Sequence, residues 1–163
     1  MRRTFLFLAF ALAATLSAEE PPETFAGAWT LVSVANVLPD GTRTEPYGPN
    51  PQGLLLLDVE GRYSLQIFRA GRTGFASGDK SRGTAEEYKA TVEGTNSHFG
   101  RYAVDPASRV ITFRIEHASF PNWEGTEQKR SFTRTGGEMR YSVPTTTNGA
   151  GVTGEVVWRR EGL

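Results

Sequence analysis

Gly27-Ala28-Trp29 near the start of the chain and Val156-Val157-Trp158-Arg159-Arg160 near its end decide the fold. A Gly-x-Trp entering the first strand and an arginine leaving the last one form the end-closure of a small β-barrel. The indole plugs the narrow end, and a guanidinium from the last strand, assigned to Arg159, stacks on the ring face. Gly27, Trp29 and Arg159 are therefore expected to close the barrel. That pairing makes the first and last strands neighbours in a sheet closed on itself.

Between these ends the chain reads as short strands with turn punctuation. Residues 29–38 form the first strand, which stops at Pro39-Asp40-Gly41. Residues 42–52 carry Pro46, Gly48, Pro49 and Pro51 and read as a loop that caps one mouth. Residues 54–59 and 63–68 pair as a hairpin through Glu60-Gly61. Residues 69–83, rich in Gly, Arg, Lys and Ser, read as a mobile loop. Thr84-Ala85-Glu86-Glu87 has the spacing of a capping box, so one helix runs to about Val92 and stops at Gly94. Tyr88 and Val92, four apart, share a face expected to dock on the barrel.

Strands follow at 98–104, 110–117, 127–135, 139–143 and 155–160. Turns stand at Asp105-Pro106-Ala107-Ser108 and Gly136-Gly137, and loops at 119–125 and 144–151. The sum is an all-β fold, an antiparallel barrel of about eight strands with one short helix. Eight strands leave room for side chains or one small ligand.

The N-terminus has a separate role. Met1-Arg2-Arg3, an apolar run over residues 5–16 and the small pair Ser17-Ala18 make a secretory signal peptide over residues 1–18. Arg2-Arg3-Thr4-Phe5-Leu6 touches the twin-arginine pattern, but the Leu- and Phe-rich stretch favours the general secretory route. Residues 19–26 are a short tether, and residues 27–163 are the domain. Periplasmic or secreted localisation in a bacterium is expected, with no membrane anchor. The chain has no cysteine, so the exported domain holds together without disulfides. Eighteen basic and eighteen acidic residues balance over the whole chain. Loss of residues 1–18 leaves a mildly acidic domain with no electrostatic reason to bind nucleic acid.

The chain resembles the bacterial lipocalin-like domain family, a calycin relative, over essentially the whole mature length. The carriers are Gly27-Ala28-Trp29-Thr30-Leu31-Val32-Ser33, Tyr88, Val92-Glu93-Gly94, Phe99-Gly100-Arg101-Tyr102, Ser119-Phe120-Pro121-Asn122-Trp123-Glu124-Gly125 and Val157-Trp158. The resemblance implies a small barrel, usually with no assigned activity. Some calycin-like barrels act as cyclases or isomerases, but no matching catalytic motif is visible. The resemblance implies relatives that are cytoplasmic or fused, so an exported version departs from them.

The candidate site residues lie on strands and one loop. His98, Gly100, Tyr102 and Val104 share a face; placing it inside gives a pocket with an apolar body and polar tips. Phe113, Ile115 and His117 share the apolar face of the next strand, which puts His117 inward near a mouth, as a base or ligand contact or as a half-exposed strand residue. Trp123 is a lid on a ligand or a plug, and Asn122 and Glu124 beside it have side chains suited to a polar head. Arg130 and Arg134 share a face; an inward pair would recognise a carboxylate, and an exposed pair would not. The ligand-binding set is His98, Tyr102, Phe113, His117, Trp123 and Arg130. No spacing is diagnostic of a metal site and no nucleophile–base pair is evident, so neither metal nor cofactor is expected.

The leading reading is an exported barrel that binds a small, mostly apolar molecule, and it requires a cavity of drug-ligand size. One alternative is a cyclase- or isomerase-type enzyme using His98, Tyr102 or Glu116 as acid–base groups. The other is a solid-core interaction module working through residues 42–52 and 69–83.

Overall fold

The computed structural model describes residues 24–144 and 151–162. The expected signal peptide, most of the expected tether and most of the loop at 144–151 lie outside the described residues.

The elements run β1 (Gly27–Val37), β2 (Arg43–Thr44), β3 (Gln52–Leu57), β4 (Arg62–Phe68), α1 (Ala85–Glu93), β5 (Thr95–Asp105), β6 (Val110–Ala118), β7 (Glu127–Thr135), β8 (Glu138–Val143) and β9 (Thr153–Arg160). Every neighbouring pair from β3 to β9 is antiparallel. β1 then pairs with both β3 and β9, from Trp29↔Arg160 to Val37↔Thr153 on the β9 side. The sheet is thus a closed eight-stranded antiparallel barrel, and the two-residue β2 is an addition at the end of β1.

Two bulges set which side chains face inward. In β1 the register slips between Leu31 and Ser33 against β9. The slip carries the buried face from Trp29 and Leu31 over to Val34 and Asn36. In β6 the pairing jumps from Gly100↔Ile115 to Phe99↔His117, so Glu116 is the extra residue. The inward run Ile111, Phe113, Ile115 ends there, and His117 points out with Glu116. The expectation of an inward His117 is corrected by that one added residue. Gly100 lets the bulge form, because a Cβ there would lie 2.1 Å from the Arg114 carbonyl oxygen. A backbone atom cannot move aside as a flexible side chain can. Gly100→Ala is therefore expected to lower stability by about 1–3 kcal/mol, read as a reduced urea midpoint.

The helix forms as its sequence indicates. Thr84 Oγ1 accepts the Glu87 N–H at 3.2 Å, and the Glu87 carboxylate accepts the Thr84 N–H at 2.8 Å. Its docking differs from expectation. Val92 is two-thirds exposed and no residue of α1 is buried. Tyr88 turns to the preceding loop instead: its ring meets Phe75 edge-on at 5.4 Å, and its hydroxyl donates to Lys80 O and accepts the Gly83 N–H. Ala76 N–H also donates to Glu87 Oε1. Residues 75–83 thus fold back on the helix, and the loop is tied down by these contacts.

Most of the barrel is packed. Trp29, Trp158, Tyr141, Phe113, Leu55, Leu65, Ile111 and Met139 fill it with side chains that are essentially solvent-free. The end containing Trp29 is sealed. Trp29 Nε1–H donates to Phe25 O at 2.9 Å, and Phe25 packs edge-on against Phe132 at 5.0 Å. Residues 24–26, counted with the tether, cover this base of the barrel.

The guanidiniums over the Trp29 ring belong to Arg134 at 5.2 Å and Arg160 at 5.8 Å. Arg159 is corrected: it faces out and pairs with Glu138 at 2.9 Å. Strand alternation explains the difference. Trp158 is fully buried, so Arg159 must point away and Arg160 returns to the inside. Arg160 also holds the chain entry, donating to Thr24 O and Ala26 O, and Arg134 donates to Thr24 O. Gly27 bends the chain at φ 141°, and its missing side chain leaves room for the Arg160 guanidinium, 3.3 Å from where a Cβ would stand.

Candidate functional site: the open mouth of the barrel

At the end opposite Trp29 the strands present polar as well as apolar side chains inward. Asn36 from β1, Asn96 from β5, Gln128 and Arg130 from β7 and Tyr141 from β8 converge with Val34, Ile67 and Val156. Pro46 and Tyr47 from the loop before β3 and Trp123 from the loop before β7 cover them. The loop over residues 42–52 therefore caps a mouth. Inside lies a cavity of about 90 Å³. Above it is an outer groove of about 400 Å³, which shares Pro46, Tyr47, Asn96 and Trp123 with the cavity and adds the apolar Val92 and Phe120, the charged Arg69 and Glu93, and Thr95 and Ser119. Small-molecule pockets usually span about 300–1,000 Å³. The inner cavity alone is smaller than the drug-ligand-sized cavity the leading reading required.

Arg130 dominates the cavity. It is 5% exposed, its guanidinium lies over Phe113 at 4.7 Å and over Tyr141 at 4.8 Å, and it donates to Gln128 Oε1 at 2.7 Å. Its Nε makes no hydrogen bond, and among the described residues no carboxylate lies within ion-pair distance. Asn96 Oδ1 and Tyr141 Oη are buried without partners as well. Burial holds the Tyr47 phenol above its ordinary pKa.

His98 faces inward, as expected, just below the cavity. It is 3% exposed, and its Nδ1 shares a 2.7 Å hydrogen bond with Tyr63 Oη. Its ring meets Trp123 edge-on at 6.0 Å. Burial, and then the charge of Arg130, push its pKa down to about 3, so the imidazole is neutral.

The other expected site residues separate. Trp123 borders both cavity and groove. Phe113 is core, the platform beneath Arg130. Tyr102 is inward but belongs to the sealed half, where its hydroxyl donates to Asp58 O at 2.7 Å. His117 sits outside, against Phe99 at 5.5 Å and 3.4 Å from Glu124. Glu124 is used within its own loop, accepting the Ala118 N–H. Arg130 and Arg134 both point inward but to opposite ends, so they form no pair. Of the three acid–base candidates, Glu116 is outside on Arg62, and neither His98 nor Tyr102 lines the cavity. Sequence reading missed Asn36, Tyr47, Asn96, Gln128 and Tyr141. Asn96 and Gln128 carry a signal: each is in phase with an inward residue two places on, His98 and Arg130.

A closed antiparallel barrel with one sealed end and one lined mouth is the architecture of barrels that hold a small ligand. The chain belongs to the lipocalin-like domain family, whose model matches residues 26–161. No curated protein matches it. Among solved structures it is similar to a redesigned β-barrel, at 13% identity and a TM-score of 0.40, with 84% of this chain and 91% of that one covered.

Proposed function

We propose that the protein binds one small amphipathic molecule at the barrel mouth, a polar head in the inner cavity and an apolar part in the groove. The observation that carries this reading is the cavity lining: Asn96, Arg130 and Tyr141 each leave a buried polar atom without a partner, next to an outer groove walled by Val92, Phe120 and Trp123. Unmet buried polar atoms disfavour an empty site and favour a ligand that supplies their bonds. Apolar contact in the groove adds affinity at roughly 25 cal/mol per Å² removed from water. The basic, then apolar, then small-residue pattern of residues 1–18 supports action outside the cytoplasm, as a carrier or scavenger.

Native mass spectrometry of the full chain, purified without denaturant, tests the binding. A single added mass that disappears on denaturation is the expected result. A bare protein mass, together with no binding of amphiphiles added afterwards, would overturn the reading.

A further inference from the structure

We infer that Arg130 is the anchor for a carboxylate, and that the ligand is a monocarboxylic acid with a slender apolar tail. The inference rests on the carrier reading and deepens it.

A guanidinium remains charged at any physiological pH, and burying it without a partner is costly. Proteins ordinarily offset that cost with a carboxylate. Here Arg130 is buried, yet its one hydrogen bond goes to a neutral amide, Gln128, and its charge rests on the faces of Phe113 and Tyr141. Those rings fix the plane of the fork and leave its edge for another acceptor. The Nε–H is one such donor, and the unpartnered Tyr141 hydroxyl lines the same cavity. A planar carboxylate is the acceptor whose geometry matches a guanidinium fork.

Charge and size narrow the class. Among the described residues Arg130 is the only charged one that lines the inner cavity, so the site matches one negative charge. A dianionic phosphate would bring a second charge with no counterpart inside. A space of about 90 Å³ holds a head group and the first carbons of a chain. The tail then passes Pro46, Tyr47 and Trp123 into the groove, where Val92 and Phe120 stand exposed. Their exposure is accounted for if an apolar chain lies on them.

The test compares octanoate, 1-octanol and octyl phosphate by isothermal titration calorimetry on the full chain, and repeats it with Arg130→Met. Methionine replaces the charged stem with an apolar one of similar length, so folding is checked by circular dichroism and thermal midpoint. The expected result is octanoate binding at least tenfold tighter than either other probe. In R130M octanoate loses at least tenfold in affinity, and octanol loses clearly less. If octanol binds as tightly as octanoate, or R130M alters neither, the carboxylate anchor is overturned and the carrier reading stands. Octyl phosphate equal to octanoate overturns the carboxylate in favour of a general anion site. If no probe binds the unaltered protein, the carrier reading falls and the anchor with it. Should R130M fail to fold, Arg130→Lys serves: loss of the planar fork is expected to weaken octanoate at least fivefold and octanol clearly less.

Discussion

Replacing Trp29 with alanine is expected to lower the stability of the protein by about 3–5 kcal/mol, the range for removing a large buried aromatic side chain. Three losses add up at this position. The indole is fully buried, so its removal opens a void in the sealed half of the barrel. Its Nε1–H no longer reaches Phe25 O, which frees the segment over the base. Arg134 and Arg160 also lose the ring they lie over. Trp29→Phe keeps a ring without the N–H donor, so it should cost clearly less than alanine. Urea unfolding of the three proteins measures both differences. A change under about 1 kcal/mol in Trp29→Ala, well below the usual cost of such a truncation, would mean that the indole does not close the barrel.

The second large effect is a loss of stability in acid. His98 takes a proton near pH 6.5 when the chain is unfolded and only near pH 3 when it is folded. Between those values the unfolded chain binds more protons, so stability falls as the pH is lowered through this window. The full span is worth roughly 5 kcal/mol. The carboxylates add their own acid sensitivity, so the informative quantity is the difference between the protein and His98→Phe. That variant leaves the Tyr63 hydroxyl without its partner and should be less stable at pH 7. Its stability should nonetheless fall less between pH 6.5 and pH 4. Parallel curves for the two proteins over that range would show that His98 is not held neutral by its surroundings.

How much of this was readable beforehand depends on distance along the chain. Turns are local, and Pro39-Asp40-Gly41, Glu60-Gly61 and Asp105-Pro106 separate strands where their residue types require it. The capping box at Thr84 is local too. The closure of β1 on β9 was readable from Trp29 and the terminal arginines because the two features explain each other. Arg159 was the wrong arginine for a simple reason: the inward phase of β9 is set by Trp158, which the core buries completely.

His117 failed for a subtler reason. Its direction is decided by one added residue, Glu116, and by the close approach that Gly100 permits, which no alternation pattern reports. The cavity was the least legible feature. Asn36, Asn96, Arg130 and Tyr141 come from four strands, and only the closed sheet brings them together. Whether the space between them is filled is a matter of volumes, and Trp29, Trp158, Phe113 and Tyr141 fill most of it.

The described residues begin and end at the sealed base, and that placement governs how the protein presents itself. Glu161 N–H donates to Ala28 O, and Arg160 grips the carbonyls of Thr24 and Ala26. Whatever is joined before residue 24 or after residue 162 emerges beside Trp29, on the side away from Trp123 and the cavity. A surface, a bead or a second module held through either end would therefore see the barrel standing with its mouth turned outward. The handle and the opening sit at opposite poles of the molecule, so attachment at one does not obstruct the other.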